Sequence, residues 1–144
     1  NPDMDGRIIN SEIDNFVKKD IGNFASYTSL GHNLYVNCLR NFDLVIGNSS
    51  SGIIEVPSFK IGTINIGDRQ MGRIKSKSVV DCEPNVKKIS NSIKRILSKK
   101  FQTSIRHNKN PFEKKNTIKN INKVLKNFNL KNIKKSFYET SFSS

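Results

Sequence analysis

One stretch, residues 43–73 (DLVIGNSSSGIIEVPSFKIGTINIGDRQMGR), limits the fold more than any other. A short apolar run at 44–46 enters Gly47-Asn48-Ser49-Ser50-Ser51-Gly52 and passes straight into a helical pattern carrying Glu55. A second apolar run at 63–66 ends on Gly67-Asp68-Arg69. Hydroxyls and backbone N–H groups at the start of a helix suit a phosphate, because donors converge where the helix dipole is positive. A carboxylate one turn further on suits the paired hydroxyls of a ribose, which need an acceptor with two oxygens. An arginine at the tip of the next strand can neutralise a diphosphate bidentately. Ser49, Ser50, Glu55 and Arg69 thus describe a nucleotide-diphosphate site, and Arg73 is a further candidate for the same charge. Each residue also has a plainer reading. The serines can cap a helix, Glu55 can be an acid drawn to the first turn, and Arg69 can pair with Asp68. The combination favours the ligand.

The rest of the chain alternates helices with short apolar strands. Turn chemistry at 1–6 leads into an amphipathic helix at about 8–19, with Ile9, Ile13, Phe16 and Val17 on one face. Residues 24–30 read as extended and close at Gly31. A helix at about 33–41 has Asn33 as its cap and Leu34, Cys38 and Phe42 on its core side. Residues 52–59 form a brief helix that Pro57 keeps short. Strands follow at 61–66 and 77–80, then a helix at 86–97 with Val86, Ile89, Ile93, Ile96 and Leu97 in register. Residues 102–116 are polar and aperiodic, hence a loop. A last helix spans 117–128, with Ile118, Ile121, Val124, Leu125 and Phe128 sharing a face. Such alternation implies an α/β fold with parallel strands and right-handed crossovers. Ligands bind beyond the carboxyl ends of those strands, where Gly47 and Gly67 fall.

With 144 residues the chain is one domain by size. It opens on Asn1 with no initiator methionine, the pattern of a piece of a longer protein. No run approaches the roughly 20 apolar residues of a membrane span. Cys38 and Cys82 lack metal-type spacing and read as reduced thiols of a cytoplasmic protein. A net charge of +13 raises the question of nucleic acid or an anionic membrane. Much of the excess lies after Val86, at helix positions such as Lys87, Lys94, Lys119 and Lys126 that alternate with apolar residues. Solvated helix faces account for it, so neither a nucleic-acid nor a membrane partner is expected. A basic nucleic-acid module would instead lose affinity steeply with salt.

The segments GNSSSGIIEVPSF and INIGDRQMGR closely resemble hydrolysing UDP-N-acetylglucosamine 2-epimerases. The resemblance covers most of residues 1–128 and is tightest at 43–84. It implies a Rossmann-like three-layer domain with a parallel sheet, the C-terminal half of a glycosyltransferase-B-like fold. The implied reaction is loss of UDP from UDP-GlcNAc to a 2-acetamidoglucal, followed by addition of water to give N-acetylmannosamine. The related non-hydrolysing enzymes usually carry Asp-Ser-Gly-Gly at the first loop, so Gly47-Asn48-Ser49-Ser50 favours the hydrolysing branch. The family's phosphate-binding serines fall on Ser49 and Ser50, its ribose-binding glutamate on Glu55 and a nucleotide-side arginine on Arg69. Leu30 and Tyr35 align beside the uracil, and Tyr35 stands where other members have Phe, which preserves an aromatic wall for the base. Ser51 stands where other members have Cys, so its side chain is not expected to be essential.

By the same resemblance the catalytic histidine and carboxylates lie upstream of this chain, and His32 and His107 do not match them. The resemblance therefore assigns no catalytic residue to this chain and implies neither a metal nor a cofactor. Residues 1–128 are expected to be the UDP-binding domain, and 129–144 a tail docking on the N-terminal half. That half is the expected partner, in a full-length homo-oligomer acting on a UDP-sugar. A UDP-2,4-diacetamido sugar is an alternative substrate. A glycosyltransferase of the same fold is an alternative enzyme, to be distinguished by transfer to an acceptor sugar.

Overall fold

The computed structural model describes residues 6–128. The turn at 1–5, with Asp3 and Asp5, and the tail at 129–144 lie outside the described residues.

Three parallel strands form the sheet in the order β1-β2-β3: β1 is Leu44–Gly47, β2 is Gly62–Ile66 and β3 is Val79–Cys82. Leu44 stands opposite Gly62 and Gly47 opposite Asn65, so β1 and β2 end at one edge. The alternation of strand side chains sorts the layers. Ile64 points to one face, where it packs with Val80, Cys82, Ile96, Phe101 and Ile105. Those residues bring in α4 (Val86–Leu97) and α5 (Lys99–Ile105). Thr63 points to the opposite face, and its hydroxyl donates to Gly52 O at 2.8 Å in α3 (Ser51–Ile54). A β-carbon on Gly52 would meet Thr63 Cγ2 at 2.8 Å, so glycine is what lets α3 lie this close to β2. Helix, sheet and helix make the three layers that the sequence implies.

Several elements differ in detail from the sequence reading. The segment at 52–59 divides at Glu55 into α3 and a 3₁₀ turn, Val56–Phe59, because Pro57 cannot continue the α-helical ladder. Helix α2 is Gly31–Leu39, capped by Leu30 backbone and not by the Asn33 side chain. Its anchor is Leu39, which is 1% exposed, whereas Leu34 and Phe42 are 49% and 44% exposed. Residues 24–30 join no strand among the described residues. Strand β3 begins at Val79, not Lys77, because Ser76 and Ser78 turn inward and bond to each other at 3.0 Å. The expected loop at 102–116 starts inside α5. Ser98 caps that helix by accepting from Phe101 N, and Phe101 and Ile105 are buried one turn apart. In α4, Ile96 reaches the core while Val86 and Leu97 are exposed.

Helices α1 (Gly6–Lys18) and α6 (Thr117–Asn127) have no buried residue. Their apolar faces, including Ile9, Ile13 and Phe16 in α1 and Ile118, Val124 and Leu125 in α6, are exposed. No described helix is long and apolar enough to cross a membrane. Cys38 and Cys82 are both free thiols.

Candidate functional site

Both site loops leave the carboxyl edge of the sheet through glycines that other residues would not replace easily. Gly47 has φ +153° and Gly67 has φ +76°, values that L side chains rarely adopt. From Gly47 the chain runs through Asn48 and Ser49 to Ser50, which caps α3 with its backbone: Ser50 O accepts from Ile53 N at 3.0 Å and Ile54 N at 2.9 Å. The Ser50 hydroxyl makes no capping bond. Ser49 Oγ accepts from Ser51 N at 3.3 Å, a weak turn contact. The plain capping reading therefore accounts for part of Ser49 and not for the Ser50 side chain. Because α3 has only four residues, its dipole is small. The hydroxyls of Ser49 and Ser50 are therefore the main polar groups that this loop offers.

The candidate cation is on the second loop. Arg69 lies in the turn after β2, exposed, and among the described residues the ion pairs are Lys75 with Asp81 and Lys88 with Glu83. Arg69 is thus not neutralised by Asp68, the local partner that the sequence offered. The next residue ties the loops together. Gln70 is 3% exposed and its Nε2 donates to Asn48 O at 2.8 Å. Its Oε1 is buried with no donor among the described residues. Nothing in the residue pattern set Gln70 apart. Its signal was position, directly beside Arg69 and facing the loop before Ser49.

Glu55 is the residue that ends α3, and the cleft it lines includes neither Ser49, Ser50 nor Arg69. Glu55 Oε2 accepts from Ser51 Oγ at 2.5 Å, and Ser51 Oγ is also bonded to the Tyr35 hydroxyl of α2. Tyr35, Glu55, His32, Leu39, Ile54 and Phe112 are among the residues around an open cleft of about 300 Å³. Leu30, the residue that caps α2, is half-buried just over one turn before Tyr35. Tyr35 is therefore brought to Glu55, and the Gln70 bond brings the Arg69 loop to the Ser49 loop.

The profile of the UDP-N-acetylglucosamine 2-epimerase family matches residues 1–126. The chain belongs to this family. It is 36% identical over 128 residues to the polysialic acid biosynthesis protein P7 of Escherichia coli, covering 89% of this chain and 32% of that protein. It is 37% identical over 102 residues to a GDP/UDP-N,N'-diacetylbacillosamine 2-epimerase (hydrolyzing) of Campylobacter jejuni, covering 71% of this chain and 26% of that protein. A UDP-N-acetylglucosamine 2-epimerase of Neisseria meningitidis is 27% identical over 88 residues, covering 61% of this chain and 23% of that protein. The chain spans about a third or less of the length of these relatives. Its Rossmann-like architecture accords with the glycosyltransferase-B-like fold of the epimerase family.

One ion pair steadies the Arg69 loop of this epimerase-family domain. Lys75, where the loop returns to β3, bonds both Asp81 oxygens at 2.7 and 2.8 Å, and Asn65 Nδ2 donates to Asp81 Oδ1 at 2.7 Å. Partial burial pushes the Asp81 carboxyl up, but the bonds from Lys75 and Asn65 and the Lys75 charge outweigh it and hold its pKa below the ordinary 3.8. A carboxyl whose pKa is depressed by folding adds stability that is complete above its unfolded value and is lost as pH falls through its folded value. The stability gap between wild type and Asp81→Asn should therefore be constant above pH about 5 and close below pH about 4. Urea midpoints across that range test this, and a gap flat down to pH about 3 would refute it.

Proposed function

We propose that this chain is the UDP-binding part of a hydrolysing UDP-N-acetylglucosamine 2-epimerase, with Ser49 and Ser50 on the diphosphate, Arg69 balancing its charge and Glu55 on the ribose. Leu30 and the Tyr35 ring flank the uracil in this reading. The observation that carries it is the Gln70–Asn48 hydrogen bond. It joins the serine loop to the arginine loop at the carboxyl edge, where parallel sheets take nucleotides, and so supports a single ligand shared by the two loops. Cleavage of the glycosidic C–O bond leaves charge on the departing diphosphate, and an arginine with serine donors around it lowers the cost of that charge.

In this reading the proton-transfer groups belong to the part of the enzyme outside this chain. General acid–base catalysis requires them within hydrogen-bond reach of the reacting protons. The chain alone is then expected to bind UDP without turnover. The complete enzyme, a cytoplasmic homo-oligomer, would convert UDP-GlcNAc to N-acetylmannosamine and UDP and so supply sialic-acid-type sugars. The name of the Escherichia coli relative supports that direction, whereas the Campylobacter jejuni name supports a diacetamido sugar.

Two assays test the proposal. NMR titration of the labelled chain with UDP should shift the amides of residues 47–52 and 67–70 and leave α6 unmoved. Shifts confined to the lysine-rich helices would instead indicate general anion binding. Given UDP-GlcNAc and a UDP-2,4-diacetamido sugar in turn, the complete enzyme should release UDP from the first in preference, with N-acetylmannosamine as the accompanying sugar. Preferential release from the second would reassign the substrate.

A further inference from the structure

Counting protons around Ser51 fixes the direction of a three-residue hydrogen-bond chain. A serine hydroxyl has one proton to give, and Ser51 Oγ gives it to Glu55 Oε2 at 2.5 Å. The bond between Ser51 Oγ and the Tyr35 hydroxyl must then run the other way, with Tyr35 donating. The order is Tyr35 Oη–H to Ser51 Oγ–H to Glu55 Oε2; Tyr35 of α2 meets the first residue of α3 across 16 residues of sequence, and Ser51 passes the link on to Glu55 at the far end of that helix.

We infer that Ser51 is a positioning residue, directed by Tyr35, that holds the Glu55 carboxylate in the orientation its ribose contact needs. The inference rests on the ribose role proposed for Glu55. A glutamate side chain on the surface samples many rotamers, and ordering it on a ligand subtracts from affinity. The relay removes that loss beforehand. It occupies one lone pair of Oε2 and leaves Oε1 and the rest of Oε2 for the two ribose hydroxyls. The Tyr35 hydroxyl, spent on Ser51, has no proton left to donate to the base, so only its ring serves there. Cysteine at position 51, which the family tolerates, would keep a weak donor in the same place.

The test uses ligands that differ only in the groups Glu55 would hold. UDP and 2′,3′-dideoxy-UDP are titrated calorimetrically into wild type, Ser51→Ala, Ser51→Cys and Tyr35→Phe. Wild type should prefer UDP. Ser51→Ala should bind UDP about two- to tenfold more weakly, the scale of ordering one free side chain on the ligand. It should bind dideoxy-UDP as wild type does. Tyr35→Phe should weaken UDP in the same selective way, and Ser51→Cys should fall between alanine and wild type. Equal weakening of both ligands in Ser51→Ala and Tyr35→Phe would mean a merely structural role and overturn the relay. So would no weakening in either. A wild type that binds the two ligands alike would instead overturn the ribose role of Glu55, and the relay with it.

Discussion

Truncating Ile64 to alanine is expected to destabilise the domain by about 2–5 kcal/mol, the range for removing a fully buried aliphatic side chain and leaving a cavity. Ile64 is in the central strand with no exposed surface, and it meets residues of β3, α4 and α5 at once. Collapse around the gap is hindered on the α4 side. Gly62, two residues earlier on the same face, already lies so close to α4 that an added β-carbon would meet Ile96 Cγ2 at 2.4 Å. Because domains are stable by only about 5–15 kcal/mol, the variant should unfold at a much lower urea concentration. Ile118→Ala, on the exposed face of α6, is the control and should change stability by less than about 0.5 kcal/mol. If Ile64→Ala cost less than about 1 kcal/mol, the core assigned to the α4 side of the sheet would be wrong.

The second large effect concerns the ligand. Glu55→Gln should weaken UDP by about 1.5–3 kcal/mol, the scale of a lost hydrogen bond to a charged group. The amide keeps one acceptor oxygen and adds a donor where a ribose hydroxyl needs an acceptor. Burial does not complicate the comparison, because Glu55 is exposed and the substitution hardly alters its volume. Calorimetry at fixed ionic strength measures it, and the loss should persist with uridine, which carries the same ribose. If Glu55→Gln left the affinity for both uridine and UDP at the wild-type level, Glu55 would be removed from the site.

Those two residues also mark what the sequence disclosed. Strands β1 and β2, their parallel pairing and the two glycine turns were legible because local chemistry dictates them: an apolar run, then a residue free to take positive φ. The loop serines, Glu55 and Arg69 stood out for the same reason. Helix α5 was not legible, since Lys99, Lys100, Gln102, Thr103 and Ser104 mask the spacing of Phe101 and Ile105. The inward face of α2 was misjudged because Leu34, Cys38 and Phe42 keep helical spacing as well as Leu39 does. Only docking decides between such faces. The links across the site were out of reach for a deeper reason. Gln70 to Asn48 spans 22 residues and Tyr35 to Ser51 spans 16, and no local pattern encodes either bond. Ser51 shows the consequence: its resemblance-based reading rested on position alone, whereas the fold bonds its hydroxyl to both Tyr35 and Glu55.

The central claim is that the serine loop and the arginine loop form one nucleoside-diphosphate site. The measurement that tests it most directly is titration of UDP and of uridine into wild type and Arg69→Ala. In the proposed site Arg69 would act on the diphosphate charge and take no part in holding the nucleoside. The account predicts that Arg69→Ala loses about tenfold or more in UDP affinity, one charged hydrogen bond's worth, while uridine binding stays at the wild-type level. Equal UDP affinity in wild type and Arg69→Ala, or equal loss for UDP and uridine, would contradict it.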